Sequence, residues 1–101
     1  MVNFSVTGSF KRRSQSIDVV FIDVRTSAEF RSIHAEGAVN LPMQTLELGE
    51  ITFAKEDEIH VICQSGGRSM KVCQKLETAG FTNVVNVEGG TSAWHEAGLP
   101  V

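Results

Sequence analysis

The chain has 101 residues, 42% apolar and 21% charged, with nine Lys plus Arg against twelve Asp plus Glu for a formal net charge of −3. That is one globular domain with enough chain to bury its own core, without staples of disulfide or metal. The charge balance excludes nucleic acid as a partner, because phosphate neutralisation needs clustered positive excess, and no run reaches the roughly 18 apolar residues of a membrane span.

Residues 1–16 carry little apolar periodicity after Val6, so no element is assigned to them. Lys11-Arg12-Arg13 reads as a solvated face, since no apolar run of signal length follows it. Val19-Val20-Phe21-Ile22 predicts a strand buried on both faces. Thr26-Ser27-Ala28-Glu29 has the spacing of a capping box and predicts a short helix to about Arg31. Ala38-Val39-Asn40-Leu41 predicts a second strand, stopped by Pro42; Met43, Leu46 and Leu48 predict a short helix ended by Gly49. Ile59-His60-Val61-Ile62 is the third strand. A Gly-rich loop leads from it into a helix to about Ala79, with Gly80 at C′ and Val72, Cys73, Leu76 and Ala79 on one face. Val84-Val85-Asn86-Val87 is the fourth strand; Gly89-Gly90 breaks it, and Thr91 to Ala97 predicts a last helix anchored by Trp94. This alternation describes an α/β domain over residues 1–101, with a mostly parallel central sheet flanked by helices on both faces. Ligands of such sheets bind beyond the carboxyl ends of strands, which points at residue 63.

The segment there is Cys63-Gln64-Ser65-Gly66-Gly67-Arg68-Ser69. Its glycines permit a tight turn with φ > 0, so that successive amides converge on one point at a helix N-terminus and form an anion cradle. Arg68 is expected to add a positive charge on the rim. An ordinary thiol is only about 3% ionised at pH 7, and a pKa drop of about two units, worth ~2.7 kcal/mol, makes the thiolate the majority form. Cys63 is therefore the candidate nucleophile, with Gln64, Ser65, Gly66, Gly67, Arg68 and Ser69 as its cradle. The bland alternative is a small buried cysteine ending a strand, before an ordinary connection.

These residues and their surroundings resemble the rhodanese homology domain, of the single-domain sulfurtransferase type. The resemblance runs from Ile22 to Val101 through Asp23-Val24-Arg25 with Glu29-Phe30, His34-Ala35-Glu36-Gly37-Ala38-Val39-Asn40-Leu41-Pro42, the loop 63–69, Ala79-Gly80-Phe81 and Glu88-Gly89-Gly90 with Trp94 and Ala97-Gly98-Leu99-Pro100-Val101. Ala35-Glu36 stands where the family usually has Ile-Pro, and the family's N-terminal helix has no clear counterpart in residues 1–16. The resemblance implies that Cys63 takes up a sulfane sulfur, carries it as a persulfide, and yields it to cyanide or a thiol. No cofactor is implied. The expected partners are a small-molecule sulfur donor and acceptor, or a protein-borne persulfide, with no nucleic acid and no membrane. Cysteine phosphatases, the near rival, place the arginine after five residues; four separate Cys63 from Arg68, which suits a smaller cradle. Two other classes stay open: a persulfide relay or sensing module working with a protein partner, and a catalytically idle interaction domain.

Gln64 and Ser65 are neutral, so thiosulfate, with two charges, is expected to be a poorer donor than a persulfide. Asp23 and Arg25, at the end of the first predicted strand, are expected to brace the loop; the alternative pairs Arg25 with Glu29. Cys73 lies ~9 Å along the helix from its start, too far for a disulfide with Cys63, and is expected in the core. His34 is expected to be a hydrogen-bonded structural histidine, and His60 and His95 surface positions of a strand and a helix. Two unpaired cysteines suit the cytoplasm.

Overall fold

Three apolar tetrapeptides of the sequence become the centre of a sheet. The computed structural model describes residues 1–16, 18–44 and 51–101, and the described elements run β1 (Val2–Phe4), α1 (Val6–Gln15), β2 (Val20–Asp23), α2 (Ser27–Ser32), β3 (Val39–Asn40), β4 (Ile59–Ile62), α3 (Gly67–Thr78), β5 (Val84–Val87) and α4 (Gly90–Glu96). The expected helix of Met43, Leu46 and Leu48 falls largely outside the described residues.

The five strands lie in the order β1-β5-β4-β2-β3, and every pairing is parallel. β4 is central, with Val61 opposite Ile22 on one side and Asn86 on the other. Strand residues alternate between two cores. Ile22, Ile59 and Val61 face α3 through Val72, Cys73 and Leu76. Phe21, Ile62 and Val87 face Val6 of α1 and Trp94 of α4. Both sides of β4 and β5 are therefore dry, and all four residues of each strand are buried. The α/β sheet with helices on both faces is as expected.

The first sixteen residues depart from expectation. They hold both an edge strand and a ten-residue helix, the counterpart found missing from the sequence. β1 is mostly exposed and owes its order to parallel pairing with β5. α1 buries only Val6 and Ser9, starts at a Ser5 side chain that accepts from Gly8 N, and ends on Arg12 and Arg13, which suit the negative end of its dipole. Those arginines are anchored rather than simply solvated. Arg12 forms a forked ion pair with Glu58, and the Arg13 guanidinium lies 4.2 Å from the Phe21 ring centroid.

His60 also departs. Its strand neighbours alternate in face, so its ring enters the dry α1 side and is fully buried. It is satisfied there by Ser9 Oγ at Nδ1 and Glu58 Oε2 at Nε2, each at 2.7 Å. His34 fits its structural reading: Nδ1 lies 2.7 Å from Phe30 O and the ring stacks on Phe30. His95 is exposed on α4. Trp94 is fully buried, with Nε1 donating to Pro100 O at 2.7 Å.

Candidate active site

β4 ends by delivering Cys63 to the carboxyl edge of the sheet, and the chain must then turn sharply to enter α3. Gly66 makes that turn with φ of +111°, a left-handed value, and stands at the cap position of α3. The turn closes on the sulfur. Gly66 N donates to Cys63 Sγ at 3.1 Å, and Ser69 Oγ, one turn into α3, lies 3.3 Å from it. Cys63 itself is 1% exposed, so the chemistry of its sulfur is set by protein groups rather than bulk water. Burial alone pushes the thiol pKa up; the Ser69 hydroxyl and the backbone amides of Ser69, Gly66 and Ser65 outweigh it and bring the pKa below its ordinary value. For Cys73 burial prevails. It is fully buried in the core, and burial pushes its thiol up to about 12.

The loop is held from outside by α4. Thr91 N donates to Cys63 O at 2.8 Å and Ser92 N to Gln64 O at 3.1 Å, while Thr91 Oγ1 adds a second bond to Cys63 O. In a planar trans peptide the carbonyl of one residue opposes the amide of the next. Holding the Cys63 and Gln64 carbonyls against α4 therefore turns the Gln64 and Ser65 amides the other way, and the Ser65 amide is one of the groups that lower the thiol pKa. The approach is possible only because residue 90 is glycine: a Cβ there would lie 2.4 Å from Cys63 O. Gly89-Gly90 does more than break β5.

The Gln64 side chain is a strut. Its Oε1 accepts from Arg25 Nη1 at 3.2 Å and its Nε2 donates to Ser92 Oγ at 2.8 Å, tying the loop to β2 and α4. Arg25 is 1% exposed and bonded to the fully buried Asp23 carboxylate through Nε and Nη2, and Nη2 also donates to Ile33 O at 2.6 Å. Asp23 and Arg25 thus reach the loop through one contact, to Gln64. Arg25 does not pair with Glu29. Glu29 instead receives Arg68 in a two-pronged ion pair, Nη1–Oε1 at 2.8 Å and Nη2–Oε2 at 2.9 Å, while also closing the capping box of Thr26. Arg68 holds the Glu29 carboxyl down to about 2. The expected positive charge on the rim is present but paired with Glu29; it still interacts with Cys63, while the Ser69 hydroxyl and the backbone amides are the groups that lower the thiol pKa. Ser65 and Gly67 complete the loop; an added Cβ at Gly67 would meet nothing within 4 Å.

Behind the sulfur lies a residue that strand patterning concealed. Asn86 is 2% exposed and interrupts the apolar run of β5. Its Oδ1 lies 2.5 Å from Ser69 Oγ, and its Nδ2 donates to Asn3 Oδ1 across the β1–β5 pair at 3.1 Å. A polar residue inside an otherwise dry strand is the signal that could have marked it.

The arrangement is a buried sulfur at the carboxyl edge of the sheet, met by a backbone amide and a hydroxyl. Comparison with known proteins gives the family. A family model described as Rhodanese-like domain matches residues 6–97. Thiosulfate sulfurtransferase 16, chloroplastic, of Arabidopsis thaliana is 44% identical over 92 residues, covering 79% of this chain and 77% of the relative. A sulfurtransferase of Allochromatium vinosum is 33% identical over 102 residues, covering 100% and 95%. The crystal structure of a rhodanese-like domain protein from Staphylococcus aureus superposes with a TM-score of 0.83 at 33% identity, covering 93% of this chain and 91% of that one. Among the described residues no helix is long and apolar enough to cross a membrane.

Proposed function

The chain belongs to the rhodanese-like domain family, and on that premise we propose that it moves a sulfane sulfur from a donor to a thiophilic acceptor through a Cys63 persulfide. The observation that carries this reading is a buried sulfur met by Gly66 N and Ser69 Oγ, with its pKa lowered by those donors. Cys63 thiolate attacks the outer sulfur of the donor; an S–S bond to Cys63 forms, the donor's S–S bond breaks, and the leaving thiolate or sulfite takes the electron pair. The acceptor, cyanide or a thiolate, then attacks the outer sulfur and returns Cys63 as thiolate. Both attacking groups are anions, so the sequence of steps needs no general base. The cradle amides match the negative charge that stays on the terminal sulfur of the persulfide.

The donor favoured by this site is a persulfide, of low molecular weight or protein-borne. Thiosulfate brings two charges, while Gln64 is neutral and Arg68 is matched by Glu29. Both cysteines are free, which suits a reducing compartment such as the cytoplasm. Intact mass after incubation with thiosulfate or glutathione persulfide tests the reading. The expected result is a gain of one sulfur atom that cyanide removes and that Cys63→Ser lacks. No gain with either donor overturns it in favour of an interaction domain.

A further inference from the structure

Ser69 has one hydroxyl proton and three neighbours that could take it. Its Oγ lies 2.5 Å from Asn86 Oδ1, 3.0 Å from Gly66 O and 3.3 Å from Cys63 Sγ. At 2.5 Å, two oxygens need a proton between them, so while Cys63 is a thiol the Ser69 proton belongs to Asn86 and the S–H donates to Ser69. That arrangement fails once the sulfur is an anion. A thiolate or persulfide needs the Ser69 proton for itself, and giving it up would leave Ser69 Oγ facing Asn86 Oδ1 lone pair to lone pair.

An asparagine amide is nearly the same shape turned end for end. Turned over, Asn86 presents Nδ2 to Ser69 Oγ and Oδ1 to Asn3. Every buried polar group then keeps a partner, and the Ser69 proton is free for sulfur. Asn3 can accept the change because it is an exposed amide on β1, able to turn and donate in place of accepting. We infer that Asn86 is a positioning residue for Cys63: its amide orientation, answered by Asn3 at the sheet edge, decides whether the Ser69 hydroxyl points at the sulfur. The consequence is a linkage between an edge strand and the ionisation of the nucleophile on the other side of β5.

The inference rests on Cys63 being the reacting group, but its test reads ionisation without any sulfur donor, so it and the transfer reaction fail separately. The variants are Asn3→Asp and Asn3→Lys, each in a Cys73→Ala background, with thiolate absorbance near 240 nm followed against pH. Position 3 is exposed, so folding is preserved and is checked by circular dichroism. A carboxylate only accepts, pins Asn86 Nδ2 outward and keeps the Ser69 proton from sulfur; the thiolate fraction at neutral pH should fall about tenfold. An ammonium only donates and should shift the titration the opposite way. The same two variants are then measured with Ser69→Ala. Loss of the hydroxyl should erase both shifts, because nothing remains to be turned. Shifts that persist without the hydroxyl are simple charge effects and overturn the inference, as does a pKa that neither variant moves.

Discussion

Replacing Gly90 by alanine tests whether α4 holds the active loop in register. Gly90 has φ of +60°, and an added Cβ would lie 2.4 Å from Cys63 O and 2.6 Å from both C and O of Gln64. All three neighbours are backbone, so no side chain can swing aside. Loop and helix must separate by about 1 Å to reach ordinary contact. That movement stretches Thr91 N–Cys63 O and Ser92 N–Gln64 O, now 2.8 and 3.1 Å, past hydrogen-bonding range. The left-handed φ and the overpacked contact together should cost about 2–4 kcal/mol of stability, read from urea unfolding. A misplacement of this size should lower kcat/KM for sulfur transfer to cyanide about 100-fold. The pH profile of Cys63 alkylation should move up as well, since amides that leave the sulfur no longer hold its pKa down. Gly98→Ala is the control. It has φ of +71° with nothing within 4 Å of the added Cβ, so it carries the backbone strain alone, about 1 kcal/mol, and leaves transfer intact. If Gly90→Ala is destabilised yet transfers sulfur within threefold of wild type with an unmoved alkylation profile, the carbonyl clamp does not position the loop.

Two further outcomes follow from other contacts. Glu29→Gln keeps an acceptor for the Thr26 capping box but frees the Arg68 charge beside the cradle. The kcat/KM for thiosulfate should rise several-fold and become salt-sensitive, while glutathione persulfide, expected to be the better donor for wild type, should change less; a wild-type preference for thiosulfate refutes the donor reading. For His60, burial lowers the pKa more than the bond to Glu58, itself paired with Arg12, restores it, and Arg13 also opposes the charge. The folded value lies below 6.5, so the unfolded chain takes the proton first. Stability should therefore be complete above pH 6.5 and fall as pH drops below it towards the folded value. Urea midpoints at pH 8 and 5.5 measure this; the decline should vanish in His60→Gln, and a wild-type midpoint that rises on acidification contradicts it.

How far the sequence revealed this protein depended on whether a role lived in side-chain pattern or in backbone geometry. Ile59–Ile62 and Val84–Val87 were legible to the residue, because strands buried on both faces leave continuous apolar runs. Thr26 and Glu29 announced α2 for the same reason: the capping box is a side-chain signal. α1 escaped because its order comes from tertiary contacts that propensity does not encode, with Arg12 on Glu58 and Ser9 on a histidine 51 positions away. Position alone could not tell that His60 was buried; that followed from which strand face met α1. The loop 63–69 stood out by its glycines, but the partner of Arg68 did not, since a charge count cannot see that Glu29 sits against it. The other half of the site was unreadable in kind. Carbonyls of Cys63 and Gln64 exist in every sequence, and only folding shows that Gly90 lets a helix reach them and so aims amides at the sulfur. A nucleophile tuned by backbone donors leaves its trace in the residues that permit close approach. In this chain Gly90 therefore carries as much information about the setting of Cys63 as the loop beside it.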